Sequence, residues 1–494
     1  MLAGLFLLLL PLYLAAEPIS VKGPVSGDWY FDEDHPYYLV SEGNIWIEEY
    51  DTLWIHERVE IFFTDDDSLI VYGTLLTDPY SFGRMIKFAQ IPGSVKNWGG
   101  IYFQGATSSN SVLQYCEILN AVNSVNINFS SPVINNNYFE PIDHGIKIFG
   151  SCRPEIMADT IKIDSTYSKP ELSYGIYISG NYERTMIDGC FIDMFVKQEN
   201  YTNVITAYGI YTELSNITLT NNYIHVGSRQ GSVGLRLGHS QSDTLMFNEV
   251  WTYSQTNKVY AAALMVSSEN SWIINNTFQV NSPFKDTGLY FNSGSNIILM
   301  NNIVAGDGSS VGIKVESISN PVNPTYNDVY NHEEPCLGIT LGATNYYFNP
   351  VFLYEPPFDM FKLDSSSPCI DAGNPDPQFN DPDGTKNDLG AHYYIPPLKT
   401  VDDPVTIEDY KLFNIHPNPT NSSSIMSFYL QKSSVVTVEL YNTLGQSAGK
   451  LADGYFDFGY HELQIDMSGL TSGLYFIVLE SSNGIESKKI LLLK

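Results

Sequence analysis

Tyrosine and cationic side chains recur at one position of a short repeated motif, Gly-Ile-x-Ile or a close variant. The third residues of successive copies include Tyr102, Lys147, Tyr177, Tyr211, Arg236, Tyr290 and Lys314, and the other copies have Asn126, Met265 and Thr340. Tyrosine rings stack on the C–H faces of sugars, and lysine and arginine bind carboxylate or sulfate groups. The pattern predicts a surface that binds an acidic polysaccharide. The alternative is that large side chains simply cover outward strand surface, where aromatic residues are common.

Groups that could catalyse a reaction are sparse. Asp143 and His144 come just before Lys147 and form the nearest approach to a cluster of acid, imidazole and cation. A polysaccharide lyase needs a base and a cation beside the uronate, whereas a glycoside hydrolase needs two carboxylates at a defined separation. A single Asp-His pair is more often an ordinary turn. Enzyme activity therefore stays open, with Asp143, His144 and Lys147 as weak catalytic candidates.

Three carboxylates near the end of the repeats offer the hard oxygen ligands that Ca²⁺ prefers. They are Asp381, Asp383 and Asp388, with Gly384 between them at a turn. The spacing differs from the EF-hand pattern and lacks its distal glutamate. A plain Asp-Gly turn that bonds its own backbone is the alternative. Calcium is the one cofactor that the sequence suggests.

The repeated motif also predicts the architecture that positions these side chains. Its copies begin 21 to 34 residues apart between Gly100 and Gly338. A unit of this length cannot bury its own apolar face and must stack on its neighbours, which is typical of a solenoid. Apolar residues alternate with polar or aromatic ones at period two, so the units are strands, and the third position of each motif points outward.

A second position supports this register. Asparagine recurs 13 or 14 residues after the start of several motif copies, at Asn137, Asn222, Asn248, Asn276 and Asn302. Equal offsets place these side chains above one another in successive coils, where amides can bond along a ladder. Asp159 and Gly189 occupy the same position in two other copies.

From about residue 36 to 350 the pattern resembles the right-handed parallel β-helix, the pectate-lyase-like fold. The segment that ends in Trp98-Gly99-Gly100-Ile101 is similar to the opening coils of secreted bacterial β-helix proteins. The sequences SPCIDAG at 367–373 and DPDGTKND at 381–388 resemble the closing motif of those proteins. The resemblance implies a cap over the open strand edges of the last coil.

After a linker rich in proline and aspartate, the repeat stops and short alternating strands follow, which predict a small antiparallel sandwich. The family-like blocks are HPNP at 416–419, VELYNTLGQ at 438–446, LTSGLYF at 470–476 and KKILLLK at 488–494. They resemble the type A C-terminal sorting domain of the type IX (Por) secretion system, although that family often has tyrosine in place of His416. The resemblance implies export across the outer membrane by that machinery. A generic sandwich appendage is the alternative.

Composition and the termini agree with export. The net charge is −30, which repels nucleic acid and disfavours it as a partner. Residues 1–16 form a short apolar run that ends in Leu14-Ala15-Ala16, as in a secretory signal peptide, and no other segment predicts a transmembrane helix. The five cysteines favour buried small side chains over a metal site.

The predicted chain is all-β. It comprises a signal peptide at 1–16, a right-handed parallel β-helix at 17–350, a capping segment at 351–395, a linker at 396–410 and a sorting domain at 411–494. We expect a secreted protein, extracellular or on the outer cell surface, that passes through the periplasm. Binding or adhesion to a glycan is the favoured function, and the alternatives are a polysaccharide lyase or glycoside hydrolase on the same face, or a structural surface component.

Overall fold

The computed structural model describes most of the chain, in two compact units that divide near residue 396. The first unit is described at residues 17–78, 85–165, 172–196, 207–229, 231–254, 261–281, 286–316, 322–353 and 361–395. The second is described at 410–416, 420, 422–430, 434–442, 446–456, 459–481 and 484–492. The predicted signal peptide at 1–16 and the predicted linker, except residue 410, lie outside the described residues.

The first unit is a right-handed parallel β-helix, as predicted, in which each complete coil adds one strand to each of three parallel sheets. Sheet 1 contains the repeated motif: Ser68–Val71, Gly100–Gln104, Asn123–Asn128, His144–Phe149, Ser173–Ser179, Ala207–Glu213, Ser232–Gly238, Ala262–Ser267, Thr287–Phe291, Val311–Val315 and Glu334–Leu337. Sheet 2 contains Gly27–Trp29, Thr52–Ile55, Thr74–Thr77, Val112–Gln114, Val133–Asn135, Glu155–Met157, Arg184–Asp188, Asn216–Thr220, Thr244–Met246, Trp272–Ile274, Ile298–Met300 and Asn323–Thr325.

Sheet 3 follows sheet 2 in every coil. Its strands are Glu60–Phe63, Ile86–Gln90, Cys116–Leu119, Tyr138–Glu140, Thr160–Ser165, Phe191–Val196, Tyr223–Ser228, Glu249–Ser254, Thr277–Asn281, Ile303–Ala305 and Asp328–Tyr330. At the start of the unit, Ile19–Pro24 pairs with the long strand Tyr38–Ile47. That long strand serves two sheets, because its beginning pairs with Glu60–Phe63 and its end with Ser68–Val71. A 3₁₀ helix, Ala106–Asn110, links sheet 1 to sheet 2, and Pro377–Phe379 is a second short one.

Aliphatic side chains from all three sheets fill the interior. Ile101, Ile146, Ile176, Ile210 and Leu235 of sheet 1 have no exposed surface. Successive partners in the strand register place them in one line along the unit. Burial of each side chain of this size contributes about 1.5–3 kcal/mol. This stacked interior is the main stabilising feature of the coils.

The glycine of the motif allows successive coils to approach closely. A Cβ atom on Gly145 would lie 2.4 Å from the carbonyl oxygen of Gly175, and one on Gly175 would lie 2.5 Å from that of Gly209. The same atom on Gly175 would lie 2.7 Å from Cγ2 of Ile192 in sheet 3. A larger residue would therefore push apart both the next coil and the opposite sheet.

The turn between sheets 2 and 3 contains a buried ladder of asparagines. The Nδ2 amide of Asn222 donates to Oδ1 of Asn248 at 2.9 Å, and that of Asn248 donates to Oδ1 of Asn276 at 2.8 Å. The series continues through Asn302 to Asn327 and Asn345, which the motif spacing did not include. Asn137 donates instead to Asp159, at 2.9 Å. The ladder satisfies backbone groups that the turn would otherwise leave buried and unpaired.

The described part of the predicted capping segment packs on outward side chains of the last coils. Leu363, Cys369 and Leu389 form a cluster with Ile303 and Ala305, which point outward from sheet 3. The side chain of Asn275 also donates to the carbonyl oxygens of residues 388 and 390. The segment therefore covers the outer face of sheet 3 near the end of the coils.

The second unit is an antiparallel sandwich, as predicted. One sheet contains Tyr410–His416, Ser423–Leu430 and Gly459–Asp466. The other contains Ser434–Asn442, Ser447–Phe456, Gly473–Ser481 and Gly484–Leu492. Phe428 and Ile465 from the first sheet share a buried cluster with Val438, Ile477 and Ile490 from the second.

Candidate functional site

The outward face of sheet 1 carries a row of side chains in consecutive register, which we call the outer row. Its members are Tyr102, Asn126, Lys147, Tyr177, Tyr211, Arg236, Met265, Tyr290 and Lys314. With coils about 4.8 Å apart, these nine positions extend over roughly 40 Å. Asn126 and Met265 are only 8% and 5% exposed, so tyrosine and cationic side chains dominate the accessible surface.

Thr340 does not belong to the outer row, in contrast to the prediction from the motif. The last strand of sheet 1 is Glu334–Leu337, and Leu337 is the residue paired with Lys314. Gly338, which begins the predicted motif copy, has φ of 79°, a left-handed conformation that ends the strand. The Gly-Ile-Thr-Leu sequence therefore follows the last strand instead of forming it.

Two further tyrosines join the row at its centre. Tyr174 and Tyr208 each come directly before the glycine of their motif copy, and they are partners in the register of adjacent strands. Both side chains are half-buried. Tyr174 stacks on Tyr208 at 5.5 Å between ring centroids, and Tyr177 stacks on Tyr211 at the same distance. Tyr174 also lies 5.0 Å from Tyr177.

These four tyrosines form one aromatic platform, which we call the tyrosine platform. The sequence contains a pattern that indicates this platform, although the Gly-Ile-x-Ile motif does not include its first tyrosine. Tyr-Gly-Ile-Tyr occurs twice, at 174–177 and 208–211. In each copy the glycine and isoleucine are buried, so the strand presents a tyrosine on either side of them.

Cations lie over aromatic rings in two places along the outer row. The Arg236 guanidinium carbon is 5.3 Å from the ring centroid of Tyr211, and Nζ of Lys314 is 4.6 Å from that of Tyr290. Burial would lower the pKa of Arg236, but bonding to the Tyr211 hydroxyl and the charge of Glu213 raise it, so the guanidinium stays charged. Its buried Nε has no hydrogen-bond partner among the described contacts.

The structure brings Asp143, His144 and Lys147 close enough for their charges to interact. Burial, assisted by Lys147, lowers the pKa of His144 to about 3, so the imidazole is neutral. Its Nδ1 accepts a hydrogen bond of 3.2 Å from the backbone N–H of Tyr174. Burial raises the pKa of Asp143 and lowers that of Lys147. An imidazole of such low basicity is poorly suited to general base catalysis near neutral pH.

The carboxylates of Asp381, Asp383 and Asp388 accept hydrogen bonds from other residues of the capping segment. Asp381 accepts from the side chain of Asn387 and the backbone N–H of Asp388. Asp383 accepts from Thr385, and Asp388 accepts from the N–H groups of residues 371 and 394. Among the described residues, no group of three or more acidic, histidine or cysteine side chains is arranged to hold a metal ion. The bond from the backbone N–H of Thr385 to Asp383 is one that an Asp-Gly turn provides, and calcium binding stays a prediction.

Comparison with known families identifies the second unit. A family model described as the secretion system C-terminal sorting domain matches residues 414–493. The second unit is a type IX sorting domain. The sorting domain marks the chain for export by the type IX secretion system to the cell surface or the extracellular space. In the described part of the chain, no helix has the length and apolar character needed to cross a membrane.

Three solved structures similar to the chain are bacteriophage tailspike proteins. One, from the E. coli bacteriophage HK620 in complex with a pentasaccharide, shares 9% identity over 97% of this chain and 86% of its own, with a TM-score of 0.22. Tailspike protein 4 of bacteriophage CBA120 shares 10% identity over 92% of this chain and 63% of its own, with a TM-score of 0.20. At such TM-scores the similarity carries no argument about function. No curated protein matches the chain.

Proposed function

We propose that the exported β-helix binds an acidic polysaccharide through the outer row and the tyrosine platform. The observation that carries this proposal is the contiguous platform of Tyr174, Tyr177, Tyr208 and Tyr211 with Arg236 beside it. Aromatic faces bind sugar rings, and the guanidinium and the two lysines supply positive charge for uronate or sulfate groups. The positive charge of the outer row is a local feature, because the chain as a whole has a net charge of −30.

The proposed role is binding or adhesion rather than catalysis. His144 is neutral and only weakly basic, and none of the nine residues of the outer row is a carboxylate. We also propose that residues 1–16 act as a signal peptide, that 351–395 protects the last coils, and that 396–410 links the β-helix to the sorting domain. A rigid outward face presented at the cell surface would allow repeated contacts along one polysaccharide chain.

Affinity electrophoresis of the purified protein in gels that contain polygalacturonate tests this function. Replacing Tyr177 and Tyr211 by alanine should weaken retention by about tenfold or more, because each ring contributes about 0.5–1.5 kcal/mol beyond its buried area. The matched control is Tyr182→Ala, since Tyr182 is 64% exposed and lies outside sheet 1. The control variant should migrate like the unmodified protein, and all variants should migrate alike in neutral dextran.

Two results would contradict the binding proposal. Equal retention of the double variant and the unmodified protein would show that the tyrosine platform does not bind the polysaccharide. Unsaturated uronate or new reducing ends after incubation would show that the protein is a lyase or a hydrolase.

A further inference from the structure

A recess on the first unit, beside its opening coils, has chemistry opposite to that of the outer row. Its volume is about 690 Å³, and its lining includes Trp46, Tyr50, Tyr72, Glu48, Glu49 and Gln104. A neighbouring recess of about 540 Å³ shares Trp46 and Tyr72 with it. Both volumes lie in the range typical of small-ligand sites, about 300–1,000 Å³. We call the larger one the aromatic recess.

The aromatic recess is assembled from several coils. Trp46 points outward from the end of Tyr38–Ile47, and the register runs from Trp46 through Ile70 to Tyr102. Gln104 ends the strand that contains Tyr102, and the Ala106–Asn110 helix follows it. The Thr107 hydroxyl of this helix donates to the carbonyl oxygen of Tyr72 at 2.5 Å. The bond connects the helix to the turn that precedes sheet 2 in the coil before.

Its aromatic side chains are unusually exposed. Tyr50 is 83% exposed and Tyr72 is 44% exposed. Tyr50 also has φ of 74°, a left-handed conformation that costs a non-glycine residue about 1–3 kcal/mol. The neighbouring Glu49 carboxylate raises the pKa of the Tyr50 hydroxyl. A strained and exposed tyrosine beside a carboxylate contributes little to the core, which is consistent with a role in binding.

Charge decides which ligand fits. Glu48 and Glu49 line the aromatic recess, and no described lysine or arginine lines it. The one lysine of the neighbouring recess, Lys22, is paired with Glu42 at 2.8 Å. Carboxylates and the faces of tryptophan and tyrosine both attract cations. An acidic sugar would be repelled here, whereas a ligand with an ammonium group would be attracted.

We propose that the aromatic recess binds a sugar unit that carries a primary amine. The ammonium group lies against the ring faces and the carboxylates of Glu48 and Glu49, and the amide of Gln104 bonds a hydroxyl group of the sugar. A sugar fits better than a lysine side chain because the recess is wide and combines ring faces with several polar groups. The recess lies on the same face as the outer row, two coils before Tyr102, but the proposal does not depend on the acidic-polysaccharide site proposed above.

Titration calorimetry of the full chain with a glucosamine tetramer at pH 6 tests the proposal, with the N-acetylated tetramer and a lysine-rich peptide as comparison ligands. The glucosamine tetramer should bind, and the N-acetylated tetramer, which has the same rings without the charge, should bind at least tenfold more weakly. Glu48→Gln combined with Glu49→Gln should weaken glucosamine binding about tenfold, and Tyr72→Ala should also weaken it. Retention on polygalacturonate should be unchanged in these variants.

The matched control is Glu155→Gln combined with Glu333→Gln, which removes two exposed carboxylates elsewhere on the same unit. This control should retain glucosamine binding within twofold. Equal loss in both double variants would show a general effect of net charge and would overturn the proposal. Equal binding of the N-acetylated tetramer, or tighter binding of the lysine-rich peptide, would also overturn it.

Discussion

One residue of the asparagine ladder is an aspartate, and its environment makes the stability of the β-helix sensitive to pH. Asp159 is fully buried, and burial raises its pKa to about 8, although bonds from Asn137 oppose the shift. Its Oδ1 accepts from the backbone and side-chain N–H groups of Asn137, while its Oδ2 has no hydrogen-bond partner among the described residues. A protonated Oδ2 can donate a hydrogen bond, whereas an ionised one leaves a buried charge.

Asp159→Asn should therefore stabilise the protein, and more so at higher pH. An acid whose pKa is raised on folding holds its proton in the folded state, so stability falls as pH rises from about 4, the ordinary value, to about 8. The asparagine variant does not titrate, so it does not lose stability in this pH range. Its amide can also donate a hydrogen bond, as the other amides of the ladder do. We expect a gain of about 1–3 kcal/mol at pH 8 and a smaller gain at pH 5.

Thermal unfolding of both proteins between pH 5 and 9 measures this difference. Asp51→Asn is the control, since Asp51 is exposed, and it should leave the pH dependence unchanged. A difference between Asp159→Asn and the unmodified protein that does not grow with pH would contradict the explanation.

At the scale of the strand, the motif glycines determine how closely coils stack and therefore where the tyrosine platform lies. Gly175 and Gly209 sit between the paired tyrosines of their strands, and each faces the next coil's carbonyl group. Gly342 lies in the same unit, but an added Cβ atom would meet nothing within 4 Å there. Replacing each kind of glycine by alanine therefore distinguishes a steric requirement for glycine from its general effect on the stability of the chain.

Gly175→Ala should destabilise the β-helix by about 3 kcal/mol, since its Cβ atom would lie 2.5 Å from a backbone oxygen that cannot move alone. Gly342→Ala should be neutral or slightly stabilising, because alanine reduces the entropy of the unfolded chain. Denaturant unfolding followed by circular dichroism compares the two variants. A similar midpoint for both would indicate that the coils can separate without cost.

At the scale of the whole molecule, the chain combines a β-helix with the sorting domain that directs its export. The sandwich has its own buried core, built from both of its sheets. An independent core is typical of a domain that folds by itself. Export should accordingly depend on the second unit and not on the sequence of the β-helix.

Deletion of residues 414–494 should leave the protein in the periplasm of a host with a type IX secretion system. Fusion of residues 397–494 to a periplasmic reporter should bring that reporter to the surface or the medium. Cell fractionation with surface protease digestion measures both outcomes. Export of the truncated protein in normal amounts would contradict this prediction.

Local patterns in the sequence determined the architecture. The motif spacing predicted a coil of parallel strands, and the family-like blocks near the C-terminus predicted the sorting domain; the structure and the family match confirm both. Alternation at period two also indicated which side chains face outward, because this property depends on neighbouring residues of one strand.

Only the tertiary structure decided which outward residues meet. Coils differ in length by up to 13 residues, since the motif spacings run from 21 to 34, so spacing alone does not place a side chain beside its neighbour. Tyr174 meets Tyr208 through the register of adjacent coils, and Trp46 and Gln104, from different coils, line one recess. Gly338 ended the last strand early and excluded Thr340 from the outer row. Contacts between coils depend on backbone pairing over long sequence separations, and a pattern within a single repeat does not contain that information.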